Sequence, residues 1–369
     1  MRALMIATVL VLCAACGGSP TAQQGSGGQA TSGGDRYAPV AAAVKGLDGQ
    51  ARRAKLVELA KKEKQLKWYT SLNEDVARKL LDAFTKATGV RVTLYRAGSE
   101  NVRNRVLEEV KAGFAGADVV ETNGPEMVAM ADGNAFAPLD APVTANLVEG
   151  SKRPTWTVSR FNIFTVAWNT DLVKPGQQPT TYADLADPKW DGKMAMEIED
   201  YDWYWALRGH LTTDGGMTPA QVQDYFNKIA DGAAFTSGHT TMRQLLVAGE
   251  YALVTSDYSY GISEVAADGA PVAWKDPKPV EPLFARPNGV GLVRNAANPA
   301  GAQLFAEWLL SDGQPVLRDS NIDPSRKDLL DTGNADVRIM DIEKYLKEED
   351  GAIKEYEAIA RKGKKVGGN

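Results

Sequence analysis

Cysteine and histidine are almost missing from this chain. Its 369 residues hold two cysteines, Cys13 and Cys16, and two histidines, His210 and His239. That excludes a multi-disulfide framework and a histidine-rich metal site. Beyond the N-terminus no apolar run approaches the roughly 18 residues of a membrane helix. Basic charge is not in excess either: 42 Lys and Arg against 47 Asp and Glu leave a net charge of −5, which argues against a nucleic-acid-binding face. The body lacks a Gly-x-x-x-x-Gly-Lys-[Ser/Thr] phosphate loop, a His-Glu-x-x-His pair and a Gly-x-Ser-x-Gly elbow. Gly289-Val290-Gly291 lacks the rest of a dinucleotide fingerprint. What is present is globular in kind, 44% hydrophobic and 24% charged, and long enough for two cores.

The first sixteen residues read as an address. Arg2 precedes an apolar run, Ala3 to Leu12, that is too short to span a bilayer and has the length of a signal h-region. It ends in Cys13-Ala14-Ala15-Cys16-Gly17. Small residues before a cysteine resemble a bacterial lipobox, with Cys13 where leucine is usual, and imply a lipid on Cys16. A plain secretory signal is the alternative. Gly17 to Gly34 is rich in Gly, Ser, Thr and Gln and cannot bury a core, so a flexible tether is expected over 17–50. The body is expected to be extracytoplasmic, monomeric and held to the membrane by its lipid.

From residue 51 the pattern alternates. An amphipathic helix is expected over 51–64 and a strand over Leu66 to Thr70. Ser71-Leu72-Asn73-Glu74 has capping-box spacing, and Val76, Leu80, Leu81 and Phe84 then line one helix face up to Gly89. Val90, Val92 and Leu94 alternate as a strand, Val102, Val106 and Val110 form a helical stripe, and Ala117 to Thr122 reads as a third strand. Pro125 then opens a helix that Gly133 stops. This is β-α-β-α-β, the grammar of a parallel sheet covered by helices. It returns with a strand at Met194, Met196 and Ile198, helices from Thr218 to Gly232 and up to Gly249, and strands at Tyr251 to Ser256 and Pro271 to Trp274. The stretch 134–165 is less regular. Two α/β units suggest two lobes with a ligand cleft at the carboxyl ends of their strands.

Two clusters could carry chemistry. Glu197, Glu199, Asp200 and Asp202 follow one strand, and Glu197 with Asp200 could serve an exported hydrolase; a solvated strand edge is the plainer reading. Tyr201, Trp203, Tyr204 and Trp205 stand among these acids. Aromatic faces beside carboxylates suit an organic cation, and packing between elements is the alternative. His239 reads as a loop or helix-start residue or as a ligand contact.

From Trp68 onward, over about residues 64–330, the chain resembles the iron(III)-type solute-binding proteins of ABC importers. The resemblance is carried by Tyr69-Thr70-Ser71-Leu72, Ala117-Asp118-Val119-Val120, Trp168-Asn169-Thr170-Asp171, Pro179 to Leu185 with Asp187 to Lys193, Val247 to Ala252, Gly269 to Val272, and Asn298-Pro299 leading to Leu309 to Gln314. It implies a two-lobed periplasmic-binding fold of type II, no enzyme activity, no cofactor, and delivery of a small-molecule or metal ligand to a permease. Lobe one is expected over 64–165 plus 286–338 and lobe two over 166–285 plus 339–362, with hinges at Trp168 and Asn169 and near Pro287-Asn288. A scaffold lipoprotein without a ligand is a third possibility.

Where such proteins hold iron(III) on an adjacent tyrosine pair with a His and a Glu, this chain has Asp257-Tyr258, Asn73 and Asn123. The resemblance therefore implies Tyr258 and Asp257 as metal ligands only if iron is the cargo. The neutral Asn73 and Asn123 point instead to an organic cation or zwitterion, such as an aminophosphonate or polyamine. On either reading the expected wall is Ser71, Asn73 and Asn123 facing Asp200, Tyr201, Trp203, Asp257, Tyr258 and Tyr260.

Overall fold

A computed structural model describes residues 35–332 and 334–365. The signal segment, Cys16 and the tether as far as Gly34 lie outside the described residues. The chain then folds as α1 (Ala38–Ala43), α2 (Gly49–Ala60), β1 (Leu66–Thr70), α3 (Glu74–Thr88), β2 (Val92–Arg96), α4 (Ser99–Lys111), β3 (Val119–Asn123), α5 (Gly124–Asp132) and β4 (Phe136–Ala137). A long β5 (Trp156–Asn169) leads to β6 (Met194–Glu197), α6 (Tyr201–Thr213), α7 (Pro219–Asp231), β7 (Ala233–Thr236), α8 (His239–Val247), β8 (Leu253–Tyr258), α9 (Ser259–Ala267) and β9 (Val272–Ala273). The chain returns through β10 (Leu283–Val293), α10 (Pro299–Leu309), α11 (Gly313–Arg318), β11 (Asp323–Pro324), β12 (Val337–Ile339), α12 (Ile342–Ala360) and β13 (Lys364–Lys365). No described helix is long and apolar enough to cross a membrane.

The strands join along one path, β13-β7-β6-β8-β5-β10-β3-β1-β2. At one end β1 pairs in parallel with β2 and β3. Towards the other end β6 pairs in parallel with β7 and β8. The antiparallel pair β5 and β10 joins the two halves and serves both. β10 pairs with β3 from Asn288 to Leu292 but with β12 from Leu283 to Ala285. β5 lies against β8 from Phe164 to Trp168. The exchange of neighbours thus falls near Arg160–Phe164 on β5 and Ala285–Asn288 on β10, where the register also shifts. Trp168 and Asn169, expected as a hinge, are instead inside the second half, paired with Leu253, Ala273 and Val272.

Local chemistry explains the elements that flank this crossover. Asn73, not Ser71, caps α3: its side chain accepts from Asp75 N at 2.9 Å, while the Ser71 hydroxyl is paired with Thr122 Oγ1 at 2.8 Å. Glu74 and Asp75 favour the helix start, and Gly89, at φ 71°, ends it in the left-handed region. Thr218 and Gln221 form a capping box at α7. Gly289 belongs to packing: a Cβ there would stand 2.2 Å from the Trp156 ring.

The N-terminal helices are not tether. Arg52 on α2 donates to Glu307 on α10 at 2.8 Å, and the Tyr37 hydroxyl donates to Val293 O at 2.9 Å. The flexible stretch expected over 17–50 therefore does not reach residue 50. One apolar cluster fills the first half, where Trp68, Phe84, Phe305 and Trp308 meet at ring separations of 4.9 to 5.3 Å. A second spans both halves, from Val102, Val106, Val120 and Met127 of the first through the crossover to Phe226, Phe235 and Leu253 of the other, and Tyr260 packs against both clusters.

Candidate functional site

In each half the parallel strands end toward the crossover, and helices begin there. Asn123 closes β3 and stands at the N-cap position of α5, as Asp200 does for α6, Gly238 for α8 and Tyr258 for α9, none with a side-chain capping bond. Arg286 rises from β10 between the two sets. Its Nη2 donates to the Tyr258 phenol oxygen at 2.6 Å and its Nη1 to Asp202 Oδ2 at 3.2 Å. The guanidinium also lies over the rings of Phe164 and Tyr258, 5.5 and 5.4 Å from their centroids.

An aromatic stack lines the second half. Tyr258 lies between His239, with centroids 4.0 Å apart and 22° between planes, and Tyr260, at 5.6 Å and 14°. His239 Nε2 is 3.0 Å from Asp200 Oδ1. Burial works against charging this imidazole, but Asp200, with Asp257 and Glu197 behind it, outweighs burial and raises its pKa. Burial pushes the Tyr258 phenol up, against the pull of Arg286.

Around this stack the charges are paired. Arg243 grips both oxygens of Asp257, at 3.1 and 2.7 Å, and Asp257 also accepts from Tyr258 N. Arg160 Nε donates to Glu121 at 2.9 Å with both side chains buried, and Thr70 donates to the other Glu121 oxygen. With its amide nitrogen turned toward Asn123, Asn288 donates to Asn123 Oδ1 at 2.8 Å and accepts from Arg160.

Several expected site residues are spent elsewhere. Asp257 has no free carboxylate oxygen for a metal. Asn73 is exposed and occupied by its capping bond. Tyr201 and Trp203 do not form a cation cage. Trp203 is fully buried against Phe226, and Tyr201 meets Tyr356 of α12 edge to face. Trp205 packs on Tyr345 and donates to Glu348. The aromatic cluster is the seam between α6, α7 and α12. Glu197 is likewise committed, since its oxygens accept from Glu199 N and Gly238 N at 2.6 and 2.9 Å; it is not free for acid–base work. Among the described residues no three His, Cys, Asp or Glu side chains form a group that could hold a metal ion.

The structure brings together Asn123, Asp200, Tyr258 and Tyr260 from the expected set and adds His239, Arg286, Asp202 and Glu126. Glu126, in the first turn of α5, is buried, and its Oε2 has no partner. Burial raises its pKa, while its own N–H, Ser99 and then Arg286 and Arg103 pull it back. In the sequence it looks like any first-turn acid of a helix, and nothing local separates it from that role.

Known proteins share this architecture. The chain is 26% identical over 267 residues to an Fe(3+)-binding periplasmic protein of Serratia marcescens, covering 69% of this chain and 76% of that one. It superposes on the Trichodesmium IdiA (FutA) structure in complex with iron and citrate ligands with a TM-score of 0.64 at 21% identity, over 80% of this chain and 99% of the other. Against apo ferric ion-binding protein A of Pasteurella haemolytica the TM-score is 0.66 at 16% identity, over 80% and 97% of the two chains. These are two-lobed α/β proteins of the type II periplasmic-binding fold, and in this chain β5 and β10 join the two halves of the sheet. The model of the bacterial extracellular solute-binding proteins matches residues 33–314. The chain belongs to that family, whose members bind solutes rather than transform them.

Proposed function

We propose that this protein is the extracytoplasmic receptor of an ABC importer, anchored through Cys16, which closes two lobes over a small solute and delivers it to a permease. The observation that carries the reading is the placing of one ionisable cluster at the crossover. Arg286 stands on a strand shared by both lobes, the His239–Tyr258–Tyr260 stack lies on lobe two, and Asn123 and Glu126 lie on lobe one. A solute seated there touches both lobes, so its binding energy is available for closure.

The cargo we favour is a small organic solute. Asp257 is consumed by Arg243, and the Tyr258 oxygen already accepts from Arg286. A bare iron(III) site would need several anionic oxygens released at once. Iron(III) remains the second reading, supported by the descriptions of the relatives and by the pairing of Tyr258 with Tyr260. Native mass spectrometry of protein purified from its own host tests both. A retained organic mass supports the first reading. Retained iron with a visible tyrosinate charge-transfer band, lost in Tyr258→Phe, supports the second. Protein that carries neither, and shows no ligand-dependent melting shift, would sink the receptor reading.

A further inference from the structure

The polar atoms left unpaired at the crossover define the chemistry it can accept. Asp200 is 2% exposed and Glu126 9%, and each keeps one carboxylate oxygen, Oδ2 and Oε2, without a hydrogen-bond partner. Arg286 Nε is buried and unpartnered as well. An unmade hydrogen bond at a buried polar atom is costly. The two carboxylates come from opposite sides: Glu126 opens α5 in lobe one and Asp200 stands at the N-cap position of α6 in lobe two. Both stand within electrostatic reach of Arg286.

The charge balance gives the sign. Arg160 answers Glu121 and Arg243 answers Asp257. Arg286 pairs with Asp202, and His239 stands against Asp200. Among the described residues Glu126 has no cation at ion-pairing distance. The unspent acceptors among the described residues of the crossover are two carboxylate oxygens; on the donor side Arg286 Nε and His239 Nε2 make no hydrogen bond, though His239 Nε2 already faces Asp200 Oδ1 at 3.0 Å. A group that answers these atoms and the unbalanced Glu126 carboxylate is chiefly a hydrogen-bond donor with positive charge. A primary ammonium, with three N–H groups, can donate to more than one carboxylate; a quaternary ammonium cannot donate at all.

Resting on the receptor reading above, we propose that the transported solute carries a primary ammonium group, held between Glu126 of lobe one and Asp200 of lobe two, with an accepting oxygen beside it turned to Arg286. The ammonium is then the cross-piece that draws the lobes together.

The test uses the purified full-length chain in thermal-shift titrations. The probes are putrescine and 2-aminoethylphosphonate, against choline, ethylphosphonate and ferric citrate. The expected result is stabilisation by at least one primary amine and by none of the other three. Glu126→Gln and Asp200→Asn should each weaken that binding by about tenfold to a hundredfold, the scale of a charge-assisted hydrogen bond. Their unliganded melting temperatures, read alongside, separate loss of binding from loss of fold. Stabilisation by ferric citrate or ethylphosphonate alone would overturn the ammonium proposal and leave the receptor reading standing. If no probe acts, host-purified protein decides. A retained amine displaced less readily from wild type than from Glu126→Gln supports the proposal, a retained solute without an amine overturns it, and no solute at all overturns the receptor reading too.

Discussion

Asp323 offers a pH experiment at the crossover itself. It lies on β11, whose backbone pairs with Phe161 of β5, and its Oδ2 accepts a 2.6 Å hydrogen bond from Ser259 at the start of α9. Burial pushes its carboxyl from the usual 3.8 up to about 7, with Ser259 and Lys275 pulling down and Asp331 pushing up. The sign follows from proton counting. Between 3.8 and about 7 the folded protein holds a proton that the unfolded chain has lost, so stability declines as pH rises through this window. Each pKa unit is worth about 1.4 kcal/mol, giving an upper bound of about 4 kcal/mol above pH 7. Asp323 keeps part of its surface in water, and screening there lowers the expected effect to about 1–3 kcal/mol. Asp323→Asn retains an oxygen for Ser259 and removes the charge. Urea denaturation of both proteins at pH 4.5, 6, 7 and 8 gives a difference curve in which the other titrating groups cancel. The variant's lead should be smallest at pH 4.5 and grow to that amount by pH 8. A difference independent of pH, or a wild type favoured at pH 8, would refute the reasoning.

Three other outcomes are expected. Arg160→Met strands Glu121 in the interior and should cost about 3–5 kcal/mol in a urea titration, whereas a loss below 1 kcal/mol would mean that water reaches that carboxylate. Cys16→Ser should move the protein from the membrane fraction to the medium, or leave its signal uncleaved, as read by cell fractionation and intact mass; unchanged retention would count against the lipid. Saturating solute should reduce the radius of gyration in solution scattering, and identical profiles with binding confirmed would remove closure.

The first β-α-β-α-β run was legible because its helices have one wet face and its ends carry caps and glycines, as α3 does from Asn73 to Gly89. The two linking strands were not. All fourteen residues of β5 are buried, so no alternation marks it, and its Arg160 and Asn162 make it look like a loop. Those polar residues are tolerated because Arg160 donates to Glu121 and to Asn162, and Asn288, with its amide nitrogen turned toward Asn123, accepts from Arg160. Topology alone placed Asn123, Asp200 and Tyr258 at strand ends near the cleft. It could not show how they are spent, since the partners lie far along the chain: Arg286 is 28 residues from Tyr258, and Asp202 is 84 from Arg286. The Tyr201–Trp205 cluster misled for the same reason. The helix that covers it, α12, lies more than 140 residues away.

The clasp formed by α1 and α2 has a mechanical consequence. Tyr37, Arg36 and Arg52 fasten the start of the folded chain to Val293, Ala296 and Glu307. Val293 lies beside the beginning of β3, since Leu292 pairs with Val119, while Asn123 at the far end of that strand pairs with Asn288 at the crossover. Four residue steps of strand put about 13 Å between these two points. Any pull applied through the N-terminus is thus received by one lobe, at its pole remote from the solute. If the proposed anchoring through Cys16 holds, the other lobe carries no load, and attachment to a surface and capture of a solute are mechanically independent.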